Sequence, residues 1–377
     1  MQAILSVTLP FFALVLAGWL AAHRRILPEA AIPGLNAFVL FFALPCMLFR
    51  FGMTTPVFEL LNPAVLAVYV LTAAVIVFFT IAMTLGPGLS LKNAAFGALV
   101  AAFPNTGFMG VPLLVALLGP AAAGPVICMV LADMIVTSSA CLAIAQARDT
   151  TGQGPRAAAL AAAKGAFSNP LPWSIALGAL VGIAGVSLPG PVNTVVKMLA
   201  DAASPVALFT IGAVLWRAGE HTRAVPLKAS SLEAQATLVL RSEDSQAPSV
   251  WPLGDAGGMA PTSPGRLDAL TRSLPRRGLG VPMSTYMPVA LIKLLLHPLV
   301  VLLLGACARS LGAPLSSFQL MVLTLAAALP SASNVSLLAE RYGADNGRVA
   351  RIILASTLLA FGSFTLLAWA FGVRPHG

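Results

Sequence analysis

Two long apolar segments of this chain are broken at their centres by the same kind of sequence. The first reads Ala102-Phe103-Pro104-Asn105-Thr106-Gly107-Phe108-Met109-Gly110-Val111-Pro112, and the second Ala328-Leu329-Pro330-Ser331-Ala332-Ser333-Asn334-Val335-Ser336. A bilayer offers no water to a free N–H or C=O, so a spanning helix can break only where protein or a wet cavity satisfies those groups. Paired breaks at corresponding places in the two halves of a membrane chain point to a transporter's binding site.

That the chain lies in a membrane follows from its composition. Of 377 residues, 58% are hydrophobic and only 9% charged, with a mean hydropathy of +0.90. A soluble domain carries about 25% charged residues. Apolar runs long enough to span, roughly 20 residues each, cover 3–21, 31–51, 62–86, 93–118, 122–147, 168–187, 192–216, 286–310, 316–341 and 349–372. The pattern predicts an all-α polytopic membrane protein of about ten transmembrane helices. The first run has no basic residue before it and His23-Arg24-Arg25 after it, so it reads as a retained helix rather than a signal peptide.

The formal charge of +9 is distributed as a topology signal and not as a nucleic-acid surface. Of the 22 Lys and Arg residues, seventeen fall in loops on one side, four on the other, and Lys293 lies inside a run. The positive-inside rule then places both termini outside the cytoplasm of a cell (inner) membrane. Lipid is an expected partner and nucleic acid is not; a homodimer is compatible with the sequence. The four cysteines, Cys46, Cys128, Cys141 and Cys307, lie in apolar segments at no metal-like spacing, so neither a metal site nor a disulfide framework is expected.

The ten runs read as five used twice. The second run holds Ala43-Leu44-Pro45-Cys46-Met47-Leu48-Phe49 and the seventh Ala203-Ser204-Pro205-Val206-Ala207-Leu208-Phe209, while the fourth and ninth share the Pro-centred breaks. Five being odd, the second copy enters the membrane from the opposite side, an inverted repeat. The expected organisation is a first repeat at 1–147, a cytoplasmic linker at 148–167 and a second repeat at 168–372. Residues 219–284, polar and rich in Gly, Pro, Ser and Arg, interrupt the second repeat as a disordered cytoplasmic insertion.

Each break carries the groups an anion needs. A helix that restarts exposes N–H groups and partial positive charge at its start. After Pro104, Asn105 and Thr106 add neutral donors, and Gly107 lets backbone approach a ligand. After Pro330, Ser331, Ser333, Asn334 and Ser336 form the analogous set, with Asn334 the leading candidate; they either bind substrate or satisfy the freed backbone. The alternative for each break is a kink that serves only packing.

Ionisable residues inside the runs mark function by default. Lys293 and His297 stand four apart on one helix face, as a proton-linked pair, a cation facing the substrate, or a Lys snorkelling to the interface. Asp133 and Asp201 are the acidic candidates, to carry a proton, coordinate Na⁺ or pair with Lys293. No HExxH, CxxC, Gly-x-Ser-x-Gly or GxxxxGK motif is present, so an enzyme and direct ATP drive are not expected. No organic cofactor is expected, and a coupling ion would be H⁺ or Na⁺.

The segment Phe103-Pro104-Asn105-Thr106-Gly107-Phe108-Met109-Gly110-Val111-Pro112-Leu113-Leu114 resembles the fourth-helix motif of the auxin efflux carrier family, and Leu291-Ile292-Lys293-Leu294-Leu295-Leu296-His297-Pro298-Leu299 is similar to another segment of it. That family joins plant auxin exporters with bacterial carriers of malonate and related acids. The resemblance covers essentially every run, and the 219–284 segment departs from it. It implies a scaffold of helices 1, 2, 6 and 7, in which Pro45 and Pro205 break the helices facing the site. Helices 3–5 and 8–10 would be an elevator-like transport domain whose broken helices 4 and 9 cross near the midplane. It further implies that Asn105 contacts the substrate carboxylate and that Pro330 is its counterpart across the crossing.

The sequence therefore points to a secondary transporter of small organic anions, mono- or dicarboxylates such as malonate. Two alternatives remain: a Na⁺/H⁺ antiporter, which wants paired carboxylates at the crossing, and a membrane sensor signalling through 219–284.

Overall fold

A computed structural model describes residues 2–56, 62–86, 88–147, 170–244 and 283–374, with side chains of 218–244 and of residue 337 left aside. The described chain is helical throughout, without a named strand. In chain order its helices are α1 (Gln2–His23), α2 (Glu29–Thr54), α3 (Pro63–Thr84), α4 (Leu91–Ala102), α5 (Thr106–Leu118) and α6 (Pro120–Gln146). There follow α7 (Pro170–Ile183), α8 (Gly190–Asp244), α9 (Met287–Ser310), α10 (Ser317–Ala327), α11 (Asn334–Arg341) and α12 (Asn346–Ala370).

Seven of these are long and apolar enough to cross a membrane by themselves: α1, α2, α3, α6, α8 (over Gly190–Arg217), α9 and α12. The other expected spans are short for a physical reason. Twelve residues of α4 rise only about 18 Å against a hydrocarbon core of about 30 Å. The helix stops at the break and α5 resumes beyond it; α10 and α11 repeat the arrangement. The described part of the sixth run is the 14-residue α7. Large apolar side chains such as Leu16, Phe78, Leu180 and Leu358 stand exposed on the outer surface, where lipid is the solvent that accepts them. This is a polytopic helical membrane protein.

Residues 219–282 separate as a unit of their own, in which 219–244 are helical backbone. That is a difference from the insertion expected to lack regular structure; 245–282, like the linker 148–167, lie outside the described residues.

Helix starts are capped from within the chain, which spares N–H groups that lipid cannot satisfy. Asn62 Oδ1 accepts from Ala64 and Val65 at 3.0 and 3.1 Å, and Ser316 with Gln319 forms a reciprocal capping box at 3.0 and 2.9 Å. Three of the four π-turns end two residues before a proline: Val39–Ala43 before Pro45, Thr106–Gly110 before Pro112 and Ile292–Leu296 before Pro298. Proline clashes with the carbonyl four residues back and donates nothing to it, and a widened turn absorbs both defects. The fourth, Asp133–Thr137, has no proline; the Ser138 N–H and its hydroxyl, the latter at 2.8 Å, both bond the Asp133 carbonyl instead.

Glycines set two intimate helix pairs. A Cβ at Gly18 would overlap the Phe209 carbonyl and one at Gly212 the Val15 carbonyl, so α1 and α8 touch backbone to backbone. Gly52, Gly178 and Gly182 do the same between α2 and α7. Small residues of this kind let helices pack where lipid gives no hydrophobic drive. At the centre lie α4, buried along Ala94–Ala102, and α10, buried along Val322–Ala327.

Candidate functional site

The two breaks meet. Phe103–Asn105 and Pro330–Ala332 run antiparallel, with the Asn105 N–H donating to Pro330 O at 2.8 Å and the Ala332 N–H to Phe103 O at 3.0 Å. The prolines suit this spot because neither has an N–H to leave unpaired. The Ser331 N–H is taken by Ser356 Oγ of α12 at 3.1 Å. Part of the backbone polarity exposed by the breaks is thus consumed, as burial requires.

What is left over gathers where the helices restart. The N–H groups of Thr106, Met109 and Gly110 are bonded to Pro104 O and Asn105 O at 2.8, 3.1 and 3.0 Å. Those of Gly107 and Phe108, in the first turn of α5, have no backbone partner among the described bonds. A Cβ placed on Gly107 would meet nothing within 4 Å, so there is open space beside this residue. Beside these donors Asn105, 3% exposed, holds its Oδ1 without a partner, and Ser331 Oγ and Asn334 Oδ1 are likewise unpartnered. An amide presents either end by turning about χ2, so Asn105 can donate as well as accept. Thr106 is fully buried with its hydroxyl turned to Pro104 O at 3.5 Å.

A cavity of about 210 Å³, mouth included, adjoins the crossing. Phe108 and Ser333 bring it to the two breaks; Asn36 and Val39 of α2 and Thr210 and Ile211 of α8 form the opposite wall. No Lys, Arg, His, Asp or Glu lines it.

A second polar cluster lies behind the crossing. On α3, Tyr69 donates to Asp133 Oδ2 at 2.7 Å and approaches Ala102 O at 3.4 Å. Thr137 donates to Asp133 Oδ1 at 3.0 Å, so both carboxylate oxygens have a donor. From α9, Lys293 Nζ donates to Ala327 O at 2.6 Å and lies 3.1 Å from His297 Nδ1. Tyr69 and His297 stack at 6.2 Å, joining the halves, and all four side chains are completely buried. Tyr69 and Lys293 thus play matching parts: each reaches from the preceding spanning helix to the last carbonyls of a broken one. Those carbonyl ends carry partial negative charge.

The expected residues divide accordingly. Pro104, Asn105, Thr106, Gly107, Pro330, Ser331, Ser333 and Asn334 are brought to the crossing, and Asp133, Lys293 and His297 to the cluster behind it. Asp201 is brought to neither: it is exposed and pairs with Lys197 at 3.7 Å. Ser336 turns away to Asn346 Oδ1 at 2.7 Å. Pro45 lies just beyond a π-turn of α2, and Pro205 stands exposed within α8. Sequence reasoning did not find Asn36, Thr210, Tyr69 or Thr137. The available signal was a polar residue alone in an apolar run, which for Thr is too common to single out. Among the described residues no group of three or more His, Cys, Asp or Glu side chains could hold a metal.

Residues 3–242 match the family described as Membrane transport protein. The whole chain is also similar to a protein of Rhizobium meliloti (strain 1021) named "Putative malonate transporter". The two are 26% identical over 374 residues, covering 98% of this chain and 96% of that one.

Proposed function

Because this chain belongs to the membrane transport protein family, the auxin efflux carrier family its fourth-segment motif resembles, it is a transporter with a small-molecule substrate, and we propose that it is a secondary carrier of small organic anions. The observation that carries this reading is the start of α5. Two N–H groups without backbone partners, the unpartnered Asn105 amide and the open space beside Gly107 come together within one helix start, which favours negative charge. A carboxylate fits there without a buried arginine. Malonate-like acids are the first substrates to test, given the name of the relative.

Alternating access would be of the elevator kind. The backbone bonds between the breaks tie α4, α5, α10 and α11 into one body that would carry the site. The glycine-packed pairs α1–α8 and α2–α7 would be the frame it slides against. The ten spans would form an inverted five-helix repeat, with Tyr69 and Lys293 as its matched members and both termini outside the cytoplasm. Against a Na⁺/H⁺ antiporter stands the count of carboxylates: Asp133 is the single one in the cluster. A sensor working through 219–284 is separated from a carrier by deleting 219–282, which leaves a carrier's flux intact.

The test is uptake of labelled malonate into proteoliposomes under imposed pH, Na⁺ and voltage gradients, wild type against Asn105→Ala. Saturable uptake that the variant loses supports the carrier and its site. Uptake unchanged in the variant removes the site from the crossing.

A further inference from the structure

We infer that the cavity between Asn36, Thr210 and the crossing selects a singly charged acid whose far end is neutral and carries a proton to donate, so that a dicarboxylate enters as its monoanion. The inference rests on the carrier reading above and concerns the end of the substrate away from Asn105.

Three observations lead to it. First, the cavity is surrounded by helix starts and neutral groups. The N–H groups of Gly107 and Phe108 at the start of α5, and of Ser333 and Asn334 at the start of α11, have no backbone partner among the described bonds, whereas no charged side chain lines the cavity. The charged or titratable residues of the lining helices, Glu29, Cys46 and Arg50 on α2 and Lys197, Asp201 and Arg217 on the Gly190–Arg217 part of α8, all lie outside that lining. α5 and residues 328–333 contribute none. Lys293, the buried cation nearest in role, is engaged with Ala327 O and His297. A second carboxylate would be desolvated with no cation to compensate it, at a cost above that of a neutral polar group.

Second, Thr210 is turned the wrong way for an anion. Its hydroxyl proton is donated to Val206 O at 2.7 Å within its own helix. A hydroxyl has one proton, so toward the cavity Thr210 Oγ1 offers only lone pairs. A carboxylate there would face acceptor against acceptor; a carboxylic acid or an amide N–H would be received.

Third, the remaining wall is neutral and adaptable. The Asn36 amide can donate or accept, while Val39, Ile211 and Phe108 are apolar. Such a wall accommodates a protonated carboxyl or a carboxamide and gives a dianion no cation.

The experiment is competition against labelled malonate uptake in proteoliposomes, with pH equal on both sides and voltage clamped to zero. The competitors are malonamate, which above its single carboxyl ionisation keeps one charge and an amide far end, butyrate, which keeps one charge and an apolar far end, and unlabelled malonate. Above the second ionisation of malonate its monoanion falls about tenfold per pH unit, so malonate should lose potency in that proportion while malonamate holds its own. Thr210→Val should shift the malonamate-to-butyrate potency ratio about tenfold toward butyrate, the effect of one hydrogen bond. A merely structural disturbance would move both competitors together. Malonate potency that is constant across pH, with malonamate inert, overturns the inference, as does an unaltered ratio in Thr210→Val. Loss of all carboxylate binding in Asn105→Ala tracks the carrier reading separately, because it removes all three competitors at once.

Discussion

Lys293 Nζ lies 2.6 Å from the carbonyl oxygen of Ala327, the last residue of α10 before its break. In broken-helix carriers, carbonyls at such half-helix ends are where a coupling cation binds. Here the ammonium already occupies one. We therefore expect uptake to be the same when Na⁺ is replaced by choline. A collapse of uptake in choline would contradict this role for Lys293. Lys293→Met leaves the Ala327 carbonyl without its donor and should cost about 1–3 kcal/mol, read as a lower melting temperature in detergent.

Tyr69 and Asp133 form the short side-chain bond between α3 and α6, at 2.7 Å. Tyr69→Phe keeps the ring against His297 and removes only the donor. The expected loss is about 1–3 kcal/mol of stability. Because the two groups act as one unit, the same substitution in an Asp133→Asn background should cost measurably less. Equal costs in both backgrounds would show that the bond contributes nothing.

Gly212 and Gly178 test the helix pairing. A Cβ at either would overlap a backbone carbonyl, of Val15 or of Phe49, and backbone cannot step aside as a side chain does. Gly212→Ala and Gly178→Ala should each destabilise by about 1–3 kcal/mol. Gly34→Ala, where a Cβ meets nothing within 4 Å, should be near neutral and serves as the control.

The sequence exposed the architecture because bilayer physics writes it in a coarse alphabet. Long apolar runs, the Pro104 and Pro330 breaks and the buried Lys293 each violate or satisfy a rule that can be stated without coordinates. The helical passes and the polar sets at both breaks were legible for that reason. The wall opposite the breaks was not. Asn36 and Thr210 become partners only when α2 and α8 are brought to Phe108 and Ser333, a long-range relation that no local pattern encodes. Asp201 shows the converse. One turn before Pro205 it looked like an intramembrane acid, yet with Lys197 four residues earlier it is a surface ion pair at 3.7 Å. The i,i+4 spacing was in the sequence and outweighed the apolar context.

The central claim is that the substrate's carboxylate sits on the start of α5, in the open space beside Gly107. Gly107→Leu tests it most directly, because a Cβ there meets no atom of another side chain or helix within 4 Å, and the rest of the leucine would extend into the ligand's place. The measurement is labelled-malonate uptake by this variant in proteoliposomes, alongside its melting temperature in detergent. The account predicts wild-type melting and uptake lost. Uptake at the wild-type rate in a folded Gly107→Leu protein would contradict it.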